Sequence, residues 1–257
     1  MSEKEILAQL IAMSRELGRP ENDYVILGEG NTSAKIDEEH FFVKASGKYL
    51  ADSDENTFVK VKLNGALAIL DKDNLTDDQI KELLFAACAD PDSSIRPSIE
   101  TTFHAFLLSL PGVNFVGHTH PTPILAMMCS INAENIIRGR ICPEEIVFCG
   151  PESVYVEYGD PGLALGKKIR ESVYRYIDKH GCNPKVIYVQ NHGLIALAGT
   201  ADEVIAATAV ACKAARALTG AMIFGGVRYL PEEDVERIYV RPDEAYRLEQ
   251  LKRARNR

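Results

Sequence analysis

Apolar residues recur along this chain at two different spacings, and the switches between them divide it into elements. Ile6, Leu7, Leu10, Ile11 and Met13 share one broad face at helical spacing, which predicts a helix over residues 4–17. The glycines of GEGNTSAK (28–35) end that pattern. Alternation takes over at Thr32, Ala34 and Ile36 and again at Phe41 and Val43, predicting a hairpin that turns at Asp37-Glu38-Glu39 and ends at Ser46-Gly47. Thr76 caps a predicted helix over 76–89 with acidic residues in its first turn, and a second helix is predicted from Ser98 to about Ser109, stopped by Pro111-Gly112.

The second half repeats this mixture. VNFVGHTH (113–120) reads as a strand and PTPILAMMCSINAE (121–134) as a short, mainly buried helix. EEIVFCG (144–150) and SVYVEY (153–158) read as strands, 162–181 as a helix ended by Gly181, and KVIYVQNHGLIALAG (185–199) as a strand hairpin. A helix of small residues follows over 201–221, and the basic tail from Pro242 to Arg257 reads as a helix, either exposed or touching another subunit. Strands and helices alternate irregularly, with hairpins among them, so the expected fold is α/β: a mixed sheet covered by helices rather than a doubly wound parallel one. No repeat, low-complexity run or linker interrupts residues 1–257, which predicts a single domain.

Composition narrows the function. With 46% hydrophobic and 26% charged residues the chain is ordinary globular material. A net charge of −8 argues against a broad grip on nucleic acid or on an anionic membrane, so any anionic ligand must be held locally. Six cysteines without a CxxC pair read as reduced, mostly buried thiols. No signal-peptide pattern opens the chain and no uncharged stretch reaches the ~20 residues that span a bilayer, which predicts a soluble, cytoplasmic protein.

The clearest chemistry is His118-Thr119-His120 at the end of an apolar strand. Strand side chains repeat every two residues, so both imidazoles leave on one face at a spacing that suits two ligands of one metal ion. The same pair reads equally as surface or hydrogen-bonded core histidines. His192, in Gln190-Asn191-His192-Gly193, follows another apolar strand at a tight turn and supplies a third candidate ligand, whereas His40 and His180 read as surface residues. Glu100 is the candidate carboxylate, with capping of its predicted helix as the plainer alternative, and His104 lies one helical turn on, within reach of it. Gly28–Ser33 and Ala45–Lys48 have the composition of anion-holding loops, or of plain turns; neither meets the dinucleotide-binding or Walker pattern.

In order, GEGNTSAK, VKASGKYL, RPSIETTFHAFL, VGHTHP and QNHGLIALAG resemble the class II aldolase/adducin family, which includes L-fuculose-1-phosphate and L-rhamnulose-1-phosphate aldolases. The matching segments span roughly residues 24–220. The resemblance implies a three-layer α/β/α fold around a mainly antiparallel sheet, assembled as a homotetramer with sites between subunits. It also implies a zinc ion on His118, His120 and His192, with Glu100 as fourth ligand and catalytic base. Gly30, Asn31, Ser46, Gly47 and Ser98 fall at the family's substrate-phosphate positions. Two departures stand out. Ile99 replaces a second serine, and no tyrosine occurs near Ile137-Arg138-Gly139-Arg140, where the fuculose-phosphate enzyme has its proton donor. Tyr155 and Tyr158 lie further on and read equally as strand packing, so the donor is unassigned.

The implied activity is cleavage of a ketose 1-phosphate to dihydroxyacetone phosphate and an aldehyde, through a zinc-stabilised enediolate. Mn²⁺, Fe²⁺ and Co²⁺ suit the same donors. Related chemistries in the family are decarboxylation, dehydration and 4-epimerisation of sugar phosphates, the last typically with an aspartate where Glu100 stands. Adducin-like members keep the fold as a binding module without the ligands; the three histidines and Glu100 argue for an enzyme here.

Overall fold

A computed structural model describes residues 1–90 and 95–243. Its centre is a seven-stranded sheet built from β1 (Asn31–Lys35), β2 (His40–Lys44), β3 (Phe58–Lys62), β4 (Phe115–Thr119), β5 (Val154–Val156), β6 (Val186–Val189) and β7 (Gly193–Ala198). The order is β3-β2-β1-β4-β7-β6-β5, antiparallel throughout except for the parallel β5–β6 pair at one edge. This is the mixed, mainly antiparallel sheet expected from the sequence.

Alternating strand residues feed two cores. Phe41, Val43, Val116, Ile187, Val189, Ile195 and Leu197 face one side, where α2 (Leu63–Leu70), α3 (Asp77–Ala86), α4 (Thr101–Ser109) and α8 (Leu163–His180) pack. Ala34, Phe42, Phe115, Val186, Tyr188, Leu194 and Ala196 face the other, against α1 (Glu3–Leu17), α5 (Thr122–Met128), α6 (Ala133–Ile137) and α9 (Ala201–Ile223). The result is three layers, α/β/α. Among the described residues the remaining α-helices are α7 (Pro143–Cys149) and α10 (Glu232–Tyr239).

Local chemistry explains most boundaries. Ser2, Thr76 and Thr200 form capping boxes with Glu5, Gln79 and Glu203, and Gly181, at φ 67°, closes α8. Three expectations need correction. EEIVFCG is not a strand but most of α7: Pro143 at the first helical position, Glu144 and Glu145 behind it and Gly150 at φ 86° are helix start and stop signals that outweigh a short apolar run. The helix expected from Ser98 starts at Thr101; Ser98 and Glu100 lie in the turn before it, and Glu100 makes no capping bond. Only Cys88, Cys149 and Cys212 of the six free cysteines are buried, while Cys129 is exposed. α9 is long and apolar enough by composition to cross a membrane, but it carries Asp202, Glu203, Lys213 and Arg216 and lies against β7 and β4 with Val204, Ala207, Ala211, Cys212 and Ala215 in the core. The helix predicted from Pro242 falls, from residue 244 onward, outside the described residues.

Candidate metal centre

β4 lies between β1 and β7, and its end carries the site. His118 pairs in register with Asn31 on one side and Ile195 on the other, and its side chain is fully buried. His120 follows just past the strand, where its N–H donates to the Tyr24 carbonyl at 2.8 Å. His192 sits in the β6–β7 turn, behind Asn191 in the left-handed region at φ 53°. Two glycines bring these segments together. A Cβ on Gly193 would lie 2.4 Å from the Thr119 carbonyl oxygen, and one on Gly30, itself at φ 65°, 2.5 Å from that of His118.

The three imidazoles converge. His118 Nε2 is 3.0 Å from His120 Nε2 and 3.1 Å from His192 Nε2. His118 donates its Nδ1–H to the Leu194 carbonyl at 3.0 Å, so its Nε2 carries a lone pair pointing into the cluster. Burial holds His118 down to about 4 and His120 down to about 3, so both are neutral at neutral pH. Glu100 closes the group, with Oε2 3.5 Å from His118 Nε2 and Oε1 3.3 Å from His192 Nε2. Burial pushes its carboxyl upward, but His118, His192 and the Asn31 amide prevail and hold it well below the usual carboxylate range.

The lone pair of His118 Nε2 meets two further imidazole nitrogens beside an anion, and Glu100 Oε1 is buried with no hydrogen-bond partner. Both observations fit a divalent cation. Ligand nitrogens at tetrahedral angles around zinc sit about 3.3 Å apart, close to the two spacings seen here. His118, His120 and His192 thus form a group able to hold a metal ion.

The segments around Asn31 and Ser46 flank this cluster. Asn31 Nδ2 donates to Glu100 Oε2 at 2.7 Å and to Ser98 Oγ at 3.2 Å, and the Glu100 N–H also donates to Ser98 Oγ. Ser98 N–H donates to the Lys44 carbonyl and Ser46 N–H to that of Arg96, which stitches 96–98 to 44–46. Ser46 and Gly47 themselves are exposed, Gly47 at φ 77°. Lys44 is 2% exposed and donates from Nζ to the carbonyls of Gly28 and Lys48, so it straps both loops together. Its burial brings the ammonium down to about 8 against the opposing pull of Glu100.

Sequence reasoning missed Lys44, whose only signal is a lysine inside the apolar run Phe41–Ala45. It also mispaired His104, which makes no bond to Glu100 but contacts Asn31 and Ser33. Ile99 is 44% exposed between the buried Ser98 and Glu100. Tyr155 lies half-buried on the edge strand β5, and Tyr158, half exposed, donates its N–H to Gln190 Oε1.

Comparison with known proteins agrees with this architecture. The model of the class II aldolase and adducin N-terminal domain matches residues 8–219. The chain is 30% identical over 226 residues to the uncharacterized oxidoreductase YuxG of Bacillus subtilis, covering 82% of this chain but only 30% of that longer relative. Among solved structures, the N-terminal class II aldolase domain of a conserved Thermoplasma acidophilum protein superposes with a TM-score of 0.66 at 25% identity, over 83% of this chain and 93% of that one. An L-fuculose 1-phosphate aldolase superposes with 0.69 at 17% identity (93% and 96%), and YgbL of Klebsiella pneumoniae, an aldolase/epimerase/decarboxylase candidate, with 0.67 at 18% (93% and 99%). Taken with the fold and the histidine cluster, the match over residues 8–219 means that this chain belongs to the class II aldolase and adducin family.

Proposed function

We propose that this protein is a metal-dependent aldehyde-lyase that cleaves a ketose 1-phosphate to dihydroxyacetone phosphate and an aldehyde. The observation that carries the reading is the meeting of three imidazole Nε2 atoms with an orphaned carboxylate oxygen of Glu100, beside the hydrogen-bonded segments 44–46 and 96–98. His118, His120 and His192 would hold the ion, zinc being the expected one. When bound, it supplies Lewis acidity for the enediolate left by C3–C4 cleavage.

The chain's own residues account for the rest. Gly30, Asn31, Ser46, Gly47 and Ser98 would bind the phosphate through backbone N–H and hydroxyl donors, the Asn31 side chain being engaged by Glu100 and Ser98, and so position the reacting carbons. The buried Lys44 ammonium lends these segments positive charge in a protein whose net charge is −8. Glu100, held anionic and with Oε1 uncommitted, is placed to accept and return a proton as general base and acid. The assembly expected is a homotetramer.

The test is release of dihydroxyacetone phosphate from fuculose, rhamnulose, xylulose, ribulose and deoxyribulose 1-phosphates, read through an NADH-coupled assay with and without chelator. Chelator-sensitive release supports the lyase. His120→Ala should lose both bound metal and turnover while staying folded, and Glu100→Gln should keep metal but slow proton transfer by about 10²–10⁴. Silence across the panel with metal bound would overturn the aldolase reading in favour of decarboxylation, dehydration or epimerisation at the same centre.

A further inference from the structure

Four buried side chains form a hydrogen-bonded row that ends on Glu100. His104, on α4, is fully buried and lies between Ser33 and Asn31, both on β1. Its Nδ1 is 2.6 Å from Ser33 Oγ and its Nε2 makes a short hydrogen bond with Asn31 Oδ1. At the far end, Asn31 Nδ2 is 2.7 Å from Glu100 Oε2.

Donor and acceptor counting fixes the direction of the whole row. A carboxylate only accepts, so Asn31 must present its NH₂ to Glu100 and its carbonyl oxygen to His104. An amide oxygen only accepts, so His104 must carry its proton on Nε2. That leaves Nδ1 with a lone pair, which Ser33 O–H satisfies. Reversing any member puts two acceptors face to face at hydrogen-bond distance in a buried site, which costs about 1–3 kcal/mol per unmet group.

We propose that His104 is a positioning residue: as its Nε2–H tautomer it locks the Asn31 amide with NH₂ toward Glu100, which pins one carboxylate oxygen and leaves the other for the metal and the substrate. The inference rests on the reading of Glu100 and the three histidines as the reactive centre. It goes beyond that reading in assigning a function to a histidine that touches neither. The reach of the side chain matters. Gln at 104 can set an N–H where Nε2 stands and so serve Asn31, whereas Asn is shorter and can serve only Ser33.

Two measurements test the proposal and keep it separate from the aldolase reading. The first is the ¹⁵N spectrum of histidine-labelled, metal-free protein at neutral pH, which requires neither metal nor substrate. His104 should show a protonated Nε2 and a bare Nδ1 coupled to a slowly exchanging ring proton; a His104 protonated on Nδ1 overturns the proposal. The second is Co²⁺ titration of wild type, His104→Gln and His104→Asn, read by visible absorption, with circular dichroism to establish folding. His104→Asn should weaken Co²⁺ binding by about 10–100-fold, the usual effect of removing support one shell out from a ligand. His104→Gln should recover most of that loss. Equal Co²⁺ affinity in both variants and in wild type overturns the positioning role, as does an equal loss in both. If wild type itself takes up no Co²⁺, the metal-centre reading fails, while the tautomer still decides whether His104 orients Asn31. If neither variant folds, the tautomer alone decides.

Discussion

Gly193→Ala probes how tightly the fold sets the histidines. The added methyl would lie 2.4 Å from the Thr119 carbonyl oxygen, 2.9 Å from His120 Cδ2 and 3.3 Å from His120 Cα. Ordinary contact begins at 3.4 Å, so the first of these is short by about 1 Å, and the obstructing atom is backbone in the centre of a sheet. The relief available is to part β7 from the end of β4. His192 precedes β7 and His118-Thr119-His120 ends β4, so that movement acts on the spacing of all three ligands. Metal sites tolerate about 0.2 Å in ligand distance, a fraction of the shift required. Overpacking of this kind costs about 1–3 kcal/mol, and in a chain of this size each kcal/mol lowers Tm by about 2–4 °C.

The expected result is therefore a folded protein with Tm lowered by about 2–12 °C and Co²⁺ affinity down by about tenfold or more. Calorimetry and metal titration measure the two effects on the same sample. Gly220→Ala in α9 is the control: nothing lies within 4 Å of its added carbon, so stability should hold or rise, by up to about 1 kcal/mol of helix propensity, with metal binding unchanged. A Gly193→Ala protein with wild-type Tm and wild-type Co²⁺ affinity would refute the claim that close approach of β4 and β7 sets the cluster.

Other regions give separate tests. Arg140 is 1% exposed and donates to the Gly150 and Gly139 carbonyls and Ser153 Oγ while facing Glu145 Oε1 at 3.6 Å; Arg140→Met should cost about 3–5 kcal/mol in urea unfolding by stranding that carboxylate, and adding Glu145→Gln should restore part of it. In native protein a thiol reagent should modify exposed Cys129 first, while Cys149 and Cys212, pushed up by burial to about 12, should react only on unfolding; fast labelling of all six would contradict the core packing. Partial burial raises Glu152, yet Lys179 and His180 outweigh it and hold the carboxyl below its ordinary 4.5. A lowered folded-state value means stabilisation that is complete above the unfolded-state value and drains as pH falls through the folded one, so Glu152→Gln should flatten the fall of Tm with pH below about 4.5.

How much of this was legible in the sequence depends on the range of the interactions involved. Elements governed by local chemistry came through: Thr76 capping its helix, Gly181 closing another, the β1–β2 hairpin at Asp37-Glu38-Glu39. α7 did not, because seven residues are too few for helical and strand spacing to differ, and its markers, Pro143 and Gly150, lie at the margins of the apolar run. The histidines were readable as candidates from strand parity and from the turn at Asn191, and order along the chain tied them to a family. What joined them in space was the register of β4 against β7, which no single segment encodes.

His104 shows where such reading stops and why. At four residues from Glu100, helical geometry suggests a direct pair, and the suggestion fails because the helix begins only at Thr101 and Glu100 turns toward the sheet. The partner that His104 finds instead, Asn31, lies 73 residues earlier on β1, where alternation sends Asn31 and Ser33 to the α4 side and Ala34 to the opposite core. A strand that delivers two polar side chains to one buried face must satisfy them there, and a neutral histidine, with one donor and one acceptor, does so for an amide oxygen and a hydroxyl at once. The polar residues of GEGNTSAK are thus divided by strand parity. Asn31 and Ser33 serve the reactive face, while Thr32 bonds Ser14 of α1 on the other, so three consecutive residues help to hold both layers of helix to the sheet.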